Sequence, residues 1–250
     1  MPQTSRITTT NTGPITMTSL QQIQKIYEEL LELSDEEKKV VLPRFFKTRK
    51  GEYGEGDKFI GVIVPNVRYV AKAYNGCSLE TVEGLLENEW HECRLCALLI
   101  LREKFKKSPE EITKFYLSHT KGINNWDLVD LSAPYILGTY LVNSPDRKML
   151  YDLAKSNIMW EQRIAIVSTL MLIRNNKFGD TIRLAEQLMD SKHDLMHKAI
   201  GWMLREVGKR DESQLKLFLE EHCRTMPRTM LRYAIEKFPP HVRLEYMQRG

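Results

Sequence analysis

No stretch of this 250-residue chain approaches the roughly 20 consecutive apolar residues that a bilayer-spanning helix requires. The opening MPQTSRITTTNTGPITM is rich in Ser and Thr and lacks the apolar h-region of a secretory leader. Residues 1–18 are therefore expected to form a flexible tail ahead of a single domain over 19–250. Cysteine is scarce. Four residues without a leader fit a reducing, cytoplasmic setting rather than a disulfide framework. Alternating apolar and polar runs are nearly missing, which argues against a sheet protein. Net charge is low as well, because 37 Lys and Arg face 33 Asp and Glu, yet 42% hydrophobic content excludes disorder as the main state. The charge excess is local: residues 191–250 hold 12 basic and 8 acidic residues, while the rest balance. That places a mildly basic surface toward the C-terminus.

Metal chemistry has little to build on. Cys93 and Cys96 form a C-x-x-C beside His91, but no second pair completes a zinc site. His193 and His197 stand four apart in HDLMH, where an Asp replaces the general-base Glu of a zincin motif. Both features are read as structural, and no metal or cofactor is expected.

What is present is a repeat. An eight-residue pattern begins at Arg94, Asp130, Arg163, His197 and Arg232, at spacings of 36, 33, 34 and 35, and its third residue is always small (Cys96, Ser132, Ala165, Ala199, Ala234). Such a period marks stacked helical repeats, each with a shorter outer and a longer inner helix. The fold class expected is all-α, a helical-repeat solenoid with a concave inner wall. Equivalent positions in a solenoid line up, so the five first residues are expected to form a row along that wall. Four are basic or His, which suits a polyanion, and Asp130 is the exception.

Apolar spacing predicts helices from Ser19, from a capping box at Ser34 to Glu37, from Val64-Pro65 and then almost without interruption to Lys237. Pro134 should bend the inner helix four residues after Asp130. The segment Phe45–Lys58 carries three glycines and reads as a loop whose Lys47, Arg49, Lys50 and Lys58 could meet phosphate. It has no P-loop spacing. Arg228 and Arg232, four apart, present two guanidinium groups on one helix face.

Trp126 lies one helical turn before Asp130, Trp160 lies three residues before Arg163, and Trp202 lies one turn beyond His197. Trp90 is assigned to packing between repeats. Indole faces with one anion and one cation suit a cation-bearing substrate that also has flat rings or sugar. A lone carboxylate stabilises an oxocarbenium-like sugar but leaves no general acid for the leaving group. A leaving group that is already positive, such as an alkylated purine, needs none.

Several stretches resemble the AlkD family of DNA alkylation repair glycosylases. They are Gly51–Phe59, the Asn-Asn-Trp-Asp-Leu-Val-Asp run at 124–130, Trp-Glu-Gln-Arg-Ile-Ala at 160–165, the segment 197–209, and Met-Pro-Arg-Thr-Met-Leu-Arg-Tyr-Ala-Ile-Glu at 226–236. The resemblance spans roughly residues 20–249. It implies a HEAT-like superhelix that takes double-stranded DNA in its groove and hydrolytically excises cationic 3- and 7-alkylpurines as a monomer, without metal or cofactor. By motif, Asp130 is the catalytic carboxylate, Trp126 and Trp202 pack on the lesion deoxyribose, and Arg163 grips the backbone. DNA contacts are expected from Lys47, Arg49, Lys50, Lys58, Arg94, Trp160, His197, Arg228 and Arg232. One departure is Ile63 in Gly61-Val-Ile-Val-Pro65, where the family often carries an arginine. The competing expectation is a non-catalytic binder of distorted or branched DNA, or a protein scaffold.

Overall fold

The computed structural model describes residues 17–249, so the tail expected over 1–18 falls outside the described residues except for Met17 and Thr18. Thr18 is no tail residue. Its hydroxyl accepts from the Gln21 amide while the Gln21 side chain accepts from the Thr18 amide, a reciprocal capping box that opens α1 (Ser19–Glu32). For α2 (Glu36–Phe45) the cap is Asp35, which accepts from Lys38, rather than Ser34. Aspartate one residue later serves the same orphan amide.

The chain continues through α3 (Val64–Ala73), α4 (Leu79–Leu86), α5 (His91–Phe105), α6 (Pro109–Ser118) and α7 (Trp126–Ser132). A π-helical turn at Pro134–Gly138 leads into the short α8 (Thr139–Val142). Then follow α9 (Lys148–Ala154), α10 (Met159–Arg174), α11 (Gly179–Gln187), α12 (Asp194–Arg210), α13 (Glu212–His222), α14 (Arg228–Ala234) and α15 (Pro240–Arg249). Helix α15 was not anticipated from sequence. Pro240 occupies its first helical turn, where its missing amide proton is not needed.

The layers follow the repeat. Helices α3, α5, α7, α10, α12 and α14 pack each on the next, and α4, α6, α9, α11 and α13 lie against them from outside. The helices make a solenoid of stacked pairs, and none among the described residues is long and apolar enough to cross a membrane. The core runs continuously along the inner layer, where Cys93, Cys96 and Ala97 of α5 and Ile164–Val167 of α10 are solvent-free. The small repeat position lets neighbouring helices approach. Cys96, Ser132, Ala165, Ala199 and Ala234 are all buried.

Pro134 disturbs the inner helix as a π-helical turn. Without an amide proton, Pro134 cannot bond the Asp130 carbonyl, and the ladder shifts to a wider spacing in which Gly138 N–H donates to Ala133 at 2.9 Å. Gly138 is required here. A Cβ would stand 2.3 Å from the Ser168 carbonyl oxygen of α10, so the bent helix could not seat against its neighbour.

Candidate active site

The α2–α3 connection folds as turns over Lys47–Asp57 and then as an extended strap, Phe59–Ile63, laid across the start of α5. Glu92 of α5 receives the amides of Ile60, Gly61 and Val62 at 2.8 to 3.0 Å, and the Lys58 carbonyl accepts from the His91 amide. A buried carboxylate thus satisfies three orphan strap amides. Gly61 has φ 94°, and a Cβ there would meet the Asp35 carbonyl at 2.7 Å, so the strap can lie flat only with glycine.

Beneath the strap lies a buried ionic cluster. His91 bridges Asp57 at 2.9 Å and Asp127 at 2.8 Å, and Arg94 pairs with Asp57 while donating to the Asn88 carbonyl. The two carboxylates hold the His91 imidazole protonated. Burial opposes this, but Asp127 and Asp57 push its pKa up to about 9. His91 and Arg94 together lower the Asp57 pKa against the opposing effect of burial. Two of the buried cysteines beside it, Cys93 and Cys96, have thiols pushed well up by burial, Cys93 to about 12, so neither is a thiolate at neutral pH.

This cluster breaks the row of wall-lining charges expected from the repeat. Arg94 is 5% exposed and internal, because the strap and Asp57 cover it. His197 is turned aside too, its Nε2 against the Ser191 carbonyl at 2.6 Å. Lys58 pairs with Glu89 and lies 6.0 Å from the Trp90 ring, which itself packs on Tyr27. Arg228 and Arg232 are exposed on α14, Arg232 with its guanidinium 3.4 Å from Thr229.

Asp130 is different. It stands on the wall of a groove of about 810 Å³, with its carboxylate gripped edge-on by Arg163, Nε to Oδ1 at 3.0 Å and Nη2 to Oδ2 at 2.9 Å. Arg163 is itself buried and anchored by the Leu195 carbonyl at 2.6 Å, while the Asp130 side chain keeps 18% exposure to the groove. Burial raises the Asp130 pKa above the ordinary aspartate value, Arg163 offsets part of that rise, and Asp127 adds to it. The Pro134 bend follows directly, so this carboxylate sits on the last regular turn before the helix deviates.

Trp126 and Trp202 both line the groove. Trp126 stacks on Phe46 at 5.4 Å and meets Phe45 edge-on at 5.9 Å, which fixes the indole one turn before Asp130. Trp160 is not on the groove wall but supports it, at 6.3 Å from the Tyr53 ring. Lys47, at φ 51°, turns the chain out of α2 and into the groove, whereas Arg49 and Lys50 are exposed on the following turn.

Several groove residues had not been anticipated as site residues, among them Tyr53, Lys192, Lys198, Arg205 and Tyr233, together with the acidic Glu52 and Asp194. Lys198, Trp202 and Arg205 fall at i, i+4 and i+7 on α12, a stripe one residue over from His197, so their spacing was a readable signal. Tyr53 and Lys192 had none, since loop folding brings them in. His193 caps α12, its Nδ1 accepting from Leu195 at 3.2 Å, and burial with nearby His197 and Arg163 lowers its pKa, so it remains neutral and can accept. The groove therefore offers the Asp130 carboxylate fixed by Arg163, indole faces and several cations, alongside Glu52 and Asp194, which pairs with Lys198 at 2.8 Å.

The family model for DNA alkylation repair enzymes matches residues 26–238. The chain belongs to that family. Among solved structures it is similar to a predicted DNA alkylation repair enzyme from Enterococcus faecalis, with a TM-score of 0.66 and 16% identity over 83% of this chain and 97% of that one. At that identity the likeness speaks for the fold alone. No curated protein matches the chain. For a DNA alkylation repair enzyme the partner is DNA, and the groove holding Asp130 combines aromatic faces with cations suited to it.

Proposed function

We propose that the protein is a monofunctional DNA glycosylase, a monomeric HEAT-like solenoid that removes cationic alkylated purines of the 3-methyladenine and 7-methylguanine type from double-stranded DNA. The observation that carries this reading is the Asp130 carboxylate, fixed by Arg163 and open to a groove whose wall includes Trp126 and Trp202.

The chemistry follows from charge. An alkylated purine already bears a positive charge, so the C1′–N bond can break with its electron pair passing to the purine, which leaves neutral. No general acid is required, so a single carboxylate, Asp130, held in a charge-assisted pair with Arg163, is enough for the chemistry. Positive charge then develops on the deoxyribose. The Asp130 carboxylate stabilises it, and the indole faces of Trp126 and Trp202 add cation–π attraction. Water attacks C1′ and gives up a proton to Asp130 or to solvent, leaving an abasic site. Arg163 holds the carboxylate in orientation, while Lys47 and Lys192 offer positive charge to the flanking phosphates. Nothing in this sequence of steps calls for a metal or cofactor.

A second reading rests on the same ion pair. Arg163 engages both Asp130 oxygens, an arrangement that also suits a protein gripping distorted DNA without cutting it. Release of methylated purine from alkylated DNA by wild type and by Asp130→Asn separates the two. The glycosylase reading expects release by wild type and loss in the variant with DNA binding kept. A wild type that binds but releases nothing leaves the binder reading, and a flat response of affinity to salt favours a protein scaffold instead.

A further inference from the structure

A second cationic locus lies on the inner layer, away from Asp130. A depression of about 270 Å³ is bounded by Arg68 and Lys72 of α3 and by Arg102 and Glu103 of α5, with Ala71, Asn75 and Leu99 completing its wall. Tyr135, on the π-helical turn after Asp130, extends the locus to a third inner helix, since the Arg102 guanidinium lies 3.8 Å over its ring. Helices α3, α5 and α7 are consecutive members of the inner layer, so this is a stripe crossing it. Arg68 and Lys72 are exposed and the neighbouring Tyr69 is 71% exposed.

The stripe carries more positive charge than its surroundings offset, since Glu103 is the one carboxylate on the wall of the depression. Among the described residues, no ion pair engages Arg68, Lys72 or Arg102, and the adjacent Glu103 is taken by Lys106. Like charge at close range is costly, and the Arg102 pKa is lowered by burial first and by Arg68 in addition, against the opposing effects of Tyr135 and Glu103. Several other cations of this chain are matched. Arg147 and Arg183 share Asp180, Arg205 pairs with Glu236, and Arg94 pairs with Asp57. Three cations beside a single carboxylate that is itself paired with Lys106, with one guanidinium held over a tyrosine ring, are preorganised for an external anion.

We propose that Arg68, Lys72 and Arg102, with Arg102 held in place by Tyr135, form a stripe that takes the DNA phosphodiester backbone to one side of the Asp130 groove. Tyr135 is five residues from Asp130 on one bent helix, roughly 7 Å along its axis, so a duplex seated at Asp130 passes within reach. The stripe also supplies what the buried Arg94 does not. Cations on these inner helices stand two turns further along α5, beyond the part that the strap covers. This rests on the reading that the protein works on DNA.

The test measures affinity for an undamaged duplex against salt concentration, using wild type, Arg68→Gln/Lys72→Gln and Arg102→Gln, together with single-turnover release of 7-methylguanine at saturating protein. Arg68 and Lys72 are exposed, so the double variant leaves the Arg102–Tyr135 contact and the core intact. The expected result is a salt slope shallower by about 2 in the double variant and by about 1 in Arg102→Gln, with saturated release unchanged. Slopes equal to wild type overturn the stripe. Shallower slopes in a protein whose wild type releases no purine support the stripe while rejecting the glycosylase reading, so the two failures are distinct. Slopes unchanged alongside normal wild-type release reject the stripe alone.

Discussion

Arg94 and Asp130 occupy the same position in successive repeats, each at the start of an inner helix, and the structure treats them in opposite ways. Arg94 is sealed under the Phe59–Ile63 strap in a cluster with Asp57 and His91, while Asp130 is paired just as closely with Arg163 yet keeps one face to the groove. The repeat sets where a side chain begins. What covers it decides whether its charge holds the fold together or meets a substrate. A buried pair is costly to break but inert, whereas a pair at a groove edge can act on charge that arrives from outside.

The sharpest way to break this contrast is to neutralise each side separately. Asp130→Asn should lower single-turnover purine release roughly a hundredfold or more per folded molecule, the scale of losing a preorganised electrostatic group. Asp57→Asn should do the reverse, lowering stability on the order of 3 kcal/mol by leaving His91 and Arg94 short of a partner, with release per folded molecule kept. Chemical denaturation alongside the release assay reads both. If Asp57→Asn abolishes release in fully folded protein, the separation of roles is wrong.

The two clusters should also titrate in different directions. His91 has a folded pKa of about 9, above its ordinary value of 6.5, so its stabilising effect is complete below pH 6.5 and is lost as pH rises through 9. Asp57 is lowered, so its effect is present above the ordinary aspartate value and lost on acidification. Denaturant midpoints should therefore fall on the alkaline side, and His91→Gln should flatten that fall. Release should instead decline on the acid side as Asp130 gains a proton, at a pH above the usual aspartate range because burial raises its pKa. An alkaline stability limb that survives in His91→Gln would refute the assignment.

Smaller effects sharpen the groove side. Trp202→Ala should reduce release about tenfold, the scale of a desolvated cation–π contact, whereas Trp90→Ala should act on stability, since Trp90 packs on Tyr27 outside the groove. Arg49→Ala, on an exposed turn, should leave release unchanged and reduce the salt slope by at most about 1.

Much of this could be read before any coordinates, for identifiable reasons. The repeat, the inner and outer layers and the bend at Pro134 are local: helical spacing and a missing amide proton act within a few residues. Trp126, Asp130, Arg163 and Trp202 come together because equal repeat positions stack, and the shared period made that legible. The fate of Arg94 did not follow, because it depends on Asp57, 37 residues away, folding back over α5. Tyr53 and Lys192 reach the groove through loops whose course no periodicity describes. Lys198 and Arg205 were within reach, one residue off the stripe that was followed, and α15 lies beyond the last repeat, where the pattern that was followed ends.

The most direct measurement compares affinity for two abasic-site duplexes, one carrying a cationic pyrrolidine in place of the sugar and one a neutral tetrahydrofuran of the same shape. If Asp130 meets developing positive charge, wild type binds the cationic duplex at least tenfold more tightly and Asp130→Asn loses that preference while binding the neutral duplex as before. Equal affinities in wild type, or a preference that survives in Asp130→Asn, would contradict the account.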